Sequence, residues 1–390
     1  MSAADLRAVI DQQELVTLLG DLVSIHSVNP HYNEGTDEKE IAEYIQAFFQ
    51  RWKIPCEMQN VLETRPNVIG KIEGIDPGRC LLFEAHTDVV STKGMTIEPF
   101  RPATKNGRLY GRGSCDTKGG LAAMLYAMKS LQTMGSRPPA SIQLAATMDE
   151  EYLFRGVSHL VRSGVRANGA VVAEPTGLQI TIAHKGCLRW RIISRGKAAH
   201  SSTVHLGINA ISKMAKVIQA IESKLIPSYQ EKRHPLVGSP TVNVGVIEGG
   251  TQVNTVPDKC AIEIDRRIIP GETTSMVWEE FRALLEELKA GDPEFDAVME
   301  EAFLEDFPLA TPEDERIVQV ARDASLSVLG DARVGAVPYG SDASKLSRAG
   351  IPSIVLGPGN IAQAHTADEF VTIAQVCEAA EIYLRMMLTF

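Results

Sequence analysis

The 390-residue chain has no run of about 18 consecutive apolar residues, the length a helix needs to cross a bilayer. Its opening, Met1-Ser2-Ala3-Ala4-Asp5-Leu6-Arg7, lacks the basic and apolar regions of a secretory leader. The expectation is a soluble, cytoplasmic protein with no membrane partner. Cysteines are few. Cys56, Cys80, Cys115, Cys187, Cys260 and Cys377 stand far apart with no Cys-x-x-Cys spacing, which argues against a disulfide framework and a thiolate zinc site. Positive charge is also short: 39 Lys and Arg against 49 Asp and Glu, a net charge of -10, and no basic cluster. Nucleic acid is therefore not an expected partner. A Gly-x-Ser-x-Gly nucleophile elbow is missing. The glycine-rich stretch Gly111-Arg112-Gly113-Ser114-Cys115-Asp116 places Asp116 where a dinucleotide fingerprint requires glycine.

What is present points to a layered α/β protein. With 44% hydrophobic residues the chain can bury a full core, and its length is generous for one domain, so two are expected. Cys80–Ala85, Ser141–Thr147 and Gly169–Ala173 read as short buried strands that run directly into acidic or His residues. In open α/β sheets, chemistry gathers beyond the carboxyl ends of such strands. Between them Leu121–Leu131 reads as a helix, closed by Gly135 and Pro138-Pro139. From Gly186 the texture changes. An alternating strand Leu188–Ser194, a helix over Gly207–Leu225, strands Thr241–Ile247 and Cys260–Ile268, and an amphipathic helix Thr274–Leu288 form an α+β insert. The α/β style returns with a strand at Pro352–Leu356 and a closing helix from Ile373 to Met387. The fold class is thus α/β, a mixed but mostly parallel sheet flanked by helices. Residues 1–185 and 310–390 form one domain, interrupted by a second over 186–309.

The polar residues beyond these strands form a series: His86 and Asp88, Asp116, the pair Glu150-Glu151, Glu174 and His365. Each has an ordinary reading on its own. His86 and Asp88 could be a satisfied pair, Asp116 a helix cap, Glu150-Glu151 a solvated turn, Glu174 a loop carboxylate and His365 a surface histidine. Together, two His and several carboxylates at strand ends make a mixed N/O set suited to two zinc-like ions.

The segments Ala85-His86-Thr87-Asp88-Val89-Val90, Gly111-Arg112-Gly113-Ser114-Cys115-Asp116-Thr117-Lys118-Gly119-Gly120, Asp149-Glu150-Glu151, Ala173-Glu174-Pro175-Thr176 and Ala364-His365-Thr366-Ala367-Asp368-Glu369 resemble, in order and spacing, those of the M20 metallopeptidase and amidohydrolase family. The resemblance implies a zinc-exopeptidase-like catalytic domain with an inserted lid and dimerisation domain, and a homodimer formed through that lid. It implies that Asp116 bridges two divalent ions, with His86 and Glu174 on one and Glu151 and His365 on the other. Zinc is the first choice of metal, with cobalt or manganese as alternatives. Asp88 would orient His86, and Glu150 would act as general base on a metal-bridging water. The Asp116-Thr117 peptide is expected to be cis. In the insert, His200 matches an oxyanion-stabilising histidine, and Asn254 and Arg267 match substrate-binding positions, with Arg266 the alternative should the strand register differ. Gly340 and Ser341, in Gly340-Ser341-Asp342, match a loop that contacts the substrate carboxylate. The activity implied is hydrolysis of the amide bond in an N-acyl amino acid, in the manner of acetylornithine deacetylase or succinyl-diaminopimelate desuccinylase. A dipeptidase or carboxypeptidase is the near alternative, and a non-catalytic metal-binding scaffold a distant one. Arg155 and Cys115 depart from the family pattern.

Overall fold

The computed structural model describes residues 3–390. The chain divides into two compact units, the first made of the residues up to Ile182 together with Thr311–Ala336 and Ser341–Phe390, the second of Ala183–Ala310 and Val337–Gly340.

In the first unit the strands Ala140–Thr147, Asp76–His86, Gly169–Val172 and Ser353–Val355 lie side by side and parallel. The hairpin of Cys56–Leu62 and Arg65–Ile72 adds antiparallel strands beyond Ala140–Thr147, and Ile180–His184 begins antiparallel beside Ser353–Val355. Parallel strands covered on both faces are apolar throughout, and Leu81, Leu82, Phe83, Ile142, Leu144, Ala170 and Val171 are accordingly buried. The helix Lys118–Met134 is buried over every residue from Lys118 to Leu131, mostly apolar with Lys118 bonded to the Ile25 carbonyl and Lys129 paired with Glu14, and ends at Gly135 in a left-handed conformation. It packs against Asp76–His86 and against the closing helix Ile373–Thr389. The parallel strands all point their carboxyl ends the same way, so whatever follows them converges at one edge.

The second unit is an antiparallel sheet in the order Thr241–Gly249, Lys259–Ile268, Gly186–Arg195, Asp296–Met299, with helices Ala210–Ala220 and Thr274–Gly291 packed on it. Its core is centred on Trp190, whose ring meets Phe281 edge-on at 4.7 Å. Along Lys259–Ile268 burial alternates, so Cys260, Ile262, Ile264, Arg266 and Ile268 face the core while Glu263, Asp265 and Arg267 face away. The helix expected from Gly207 begins at Ala210, because the Asn209 side chain accepts the Ser212 N–H at 3.0 Å and caps it there. It passes into a wider π turn at Ile221–Leu225.

Candidate metal centre

His86 is the last residue of the strand Asp76–His86, Glu150 and Glu151 follow Ala140–Thr147, and Glu174 follows Gly169–Val172. Strand order alone therefore places these side chains at one edge. Asp116 arrives from the segment that leads into the Lys118–Met134 helix, across a cis Asp116–Thr117 peptide, and His365 from the loop after Ser353–Val355.

Asp116 lies between the two imidazoles. Its Oδ1 is 3.0 Å from His86 Nε2, and its Oδ2 is 3.3 Å from His365 Nε2. Glu174 Oε1 stands 3.8 Å from His86 Nε2, and Glu151 Oε1 stands 3.1 Å from His365 Nε2. Ligand atoms of His86, Asp116 and Glu151 lie within 4.8 Å of one another, as do those of His86, Glu150 and Glu174. Among the described residues these are the sets that could hold a metal ion.

Burial pushes the Glu150, Glu151 and Glu174 carboxyls up, and neighbouring carboxylates add to the effect. Burial acts on Asp116 in the same sense, but hydrogen bonds to His365 and His86 outweigh it and hold this acid well below the usual range. Burial works against the imidazolium forms of both histidines. Their carboxylate partners prevail, taking His86 well above its ordinary value and His365 to about 11. Four carboxylates with little access to water, beside a buried His86 and an exposed His365, call for added positive charge, and an N/O donor set in two overlapping groups fits two divalent ions.

The supports behind these side chains are ordered too. His86 Nδ1 lies 2.9 Å from the main-chain oxygen of Asp88, leaving Nε2 directed at Asp116. The Asp88 carboxylate Oδ1 stands 3.7 Å from His86 Nδ1. Its oxygens accept the Glu150 N–H at 3.0 Å, the Glu151 N–H at 3.1 Å and the Asn29 Nδ2 at 2.8 Å. Glu369 does the same for the other side. Its Oε1 accepts the N–H groups of Cys115 and Asp116, and Arg112 Nη1 donates to its Oε2 at 2.6 Å. Sequence reasoning gave no role to Glu369, Arg112, Asn29, Arg65 or Asp149. For Glu369, Arg112 and Asp149 the signal was their place inside the quoted segments, whereas Asn29 and Arg65 carried none.

The remaining candidates fall in or beside the second unit. His200 pairs with Thr255 in a two-residue bridge, and its Nδ1 meets Ser202 Oγ at 2.8 Å. Asn254 is its neighbour, accepting the Ser201 N–H at its main-chain oxygen. Arg267 is half-exposed and pairs with Asp265 at 2.8 Å, and Asp265 is also held by Arg189. Arg266 is the inward one, fully buried, bonded to Glu272 at 2.7 Å and stacked over Tyr229. Gly340 lies where a Cβ would meet Asp306 Oδ2, so a larger residue would require that side chain to move, and Ser341 is buried at the start of the returning segment.

Residues 82–389 match the family described as "Peptidase family M20/M25/M40". The chain is 27% identical over 392 residues to the "Probable succinyl-diaminopimelate desuccinylase" of Staphylococcus aureus (strain MSSA476), covering 92% of this chain and 93% of that one. It is 31% identical over 349 residues to the "Acetylornithine deacetylase" of Myxococcus xanthus, covering 87% and 89%. Among solved structures, a tripeptidase from Staphylococcus aureus subsp. aureus Mu50 superposes with a TM-score of 0.81 at 21% identity, covering 97% of this chain and 98% of that one, which establishes the shared fold.

Proposed function

The chain belongs to peptidase family M20/M25/M40 and is a metal-dependent hydrolase, and from that premise we propose that it cleaves the amide bond of an N-acyl amino acid. The observation that carries the reading is Asp116, held between two imidazoles with one oxygen toward each, beside the adjacent carboxylates Glu150 and Glu151. Deacylation is preferred to peptide cleavage because the relatives at 27% and 31% identity carry deacylase names, whereas the tripeptidase likeness speaks for fold.

In this reading His86 and Glu174 would hold one divalent ion and Glu151 and His365 the other, with Asp116 serving both. Zinc is our assignment, with cobalt or manganese able to substitute in such an N/O site. When bound, the ions supply Lewis acidity and bring the pKa of water toward about 7. Glu150 takes a proton from the attacking water and returns it to the leaving amine. Asp88 keeps Glu150 and Glu151 in place through their N–H groups, and its main-chain oxygen fixes the His86 ring.

We assign His200 to the oxyanion, and Asn254, Arg267, Gly340 and Ser341 to the substrate, on the motif resemblance. An arginine fork grips a carboxylate bidentately, and Arg267 would exchange Asp265 for the substrate's acid. The same proposal includes a homodimer through the second unit. Among the described residues its edge strand Thr241–Gly249 pairs on one side only, and Val246 and Ile247 on it, with nearby Ile211 and Val253, are exposed apolar residues of the kind a second copy would cover.

A second reading has one observation behind it: Glu150 falls within 4.8 Å of His86 and Glu174 ligand atoms and could be a further metal ligand. The test is amine release from N-acetyl, N-succinyl and dipeptide substrates by the zinc-loaded enzyme, with Glu150→Ala alongside. Turnover of an N-acyl substrate that vanishes in the variant supports the proposal. Turnover of dipeptides alone moves the assignment to a peptidase.

A further inference from the structure

The turn that presents Glu150 and Glu151 is pinned from behind by a residue the chemistry above does not use. Asp149 is fully buried and takes a left-handed backbone conformation with φ 69°, uncommon for any residue but glycine. Its Oδ1 accepts from Asn29 Nδ2 and from Arg65 Nη2, each at 2.9 Å, and its Oδ2 from Arg155 Nε at 2.7 Å. Arg65 is gripped in turn by both oxygens of Glu38, at 2.5 and 2.6 Å. Asn29 reaches Asp88 Oδ2 with the same amide, and Asp88 accepts the N–H groups of Glu150 and Glu151. The bonds to Asp149 and Asp88 thus end on the turn or on the carboxylate that holds the turn, while Glu38 anchors Arg65 from outside it.

We infer that Asp149 is a positioning residue that fixes Glu150 independently of the metal, through Asn29, Arg65 and Arg155. Stability is a poor explanation for the hub, because burying ion pairs costs desolvation that apolar packing avoids. Backbone strain at a functional turn persists where surrounding contacts over-determine it, and three donors on one carboxylate do that. Arg155, a departure from the family pattern in the sequence, thereby acquires a place: it closes the Oδ2 side of Asp149.

The inference rests on the reading of Glu150 as the base, and the variants separate the two. Asp149→Asn keeps the side chain's size, and asparagine tolerates left-handed backbone, but it turns an N–H toward Arg155. The expected result is a kcat about 10- to 100-fold lower, a range common to groups that orient reacting residues, with KM little changed. Metal stoichiometry and the visible absorption of the cobalt-loaded protein should stay as in wild type. On a Glu150→Ala background, Asp149→Asn should lower the residual rate no further, because its effect is transmitted through Glu150. Arg155→Gln, at a half-exposed side chain that folding tolerates, should show the same signature on a smaller scale. Wild-type kcat in both variants, loss of metal in step with loss of rate, or a further fall on the Glu150→Ala background overturns the inference. A fully active Glu150→Ala removes the base assignment instead.

Discussion

One carboxylate oxygen of Glu369 accepts the main-chain N–H of Asp116 at 3.1 Å and that of Cys115 at 2.9 Å, so the acid between the two imidazoles is held by its own backbone. Arg112 neutralises the other oxygen of Glu369 out of contact with water. Glu369→Ala should loosen Asp116 and weaken metal affinity by about 10- to 100-fold. It also strands the Arg112 guanidinium, which should cost about 3–5 kcal/mol of stability. Metal titration and thermal unfolding of the same variant measure both, and unchanged affinity would remove Glu369 from the account.

Glu150→Ala should cut turnover to a small residual rate while two metals per chain remain, whereas Asp116→Ala should lose the metals and the rate together. Elemental analysis decides between the two readings of Glu150. If the variant binds one ion fewer, Glu150 is a ligand and the proton must be carried elsewhere.

Arg266 and Arg267 are adjacent yet face opposite sides of one strand, and their variants should behave differently. Arg266→Ala leaves Glu272 with only Lys232 at 3.6 Å and the Ile269 N–H, and should destabilise the second unit by at most about 3–5 kcal/mol, the cost of a broken buried pair. Arg267→Ala should leave stability within about 0.5 kcal/mol and raise KM for substrates bearing a carboxylate. The reverse pattern would mean the strand slips by one residue.

Asp292 has its pKa depressed to about 2 by hydrogen bonds from Lys213 and then Lys216. A folded pKa below the unfolded value contributes stability that is present above about pH 4 and lost as pH falls through about 2. Asp292→Asn should therefore flatten the acid limb of unfolding in that window, followed through the fluorescence of the second unit's Trp190 and Trp278. An unchanged acid limb means that the two lysines leave Asp292 as they would in the unfolded chain.

The sequence was readable where one residue type answers one demand. Phe83-Glu84-Ala85-His86 announces a buried strand with a polar end because burial on both faces removes alternation, and the parallel sheet makes such ends meet. The alternation in Cys260–Ile268 likewise separates its two faces, although register, and with it the choice between Arg266 and Arg267, emerges only from pairing. The hairpin Cys56–Leu62 and Arg65–Ile72 went unrecognised because Arg65, Pro66 and Asn67, polar or strand-breaking by type, are buried in it. Asn29 and Arg65 were invisible for a related reason. Their partners, Asp88 and Asp149, lie 59 and 84 residues away, and no local pattern encodes a hydrogen bond across such a distance.

The His365–Glu151 contact spans 214 residues of sequence. A chain stopped short of position 365 has no imidazole to place opposite Glu151, and it also lacks Glu369, whose carboxylate accepts the Asp116 N–H. Both sides of the cluster thus wait on residues that are made last, His365 for the Glu151 side and Glu369 for the backbone of Asp116. A growing chain would carry a half-built centre, unable to turn over substrate until its final helices have emerged.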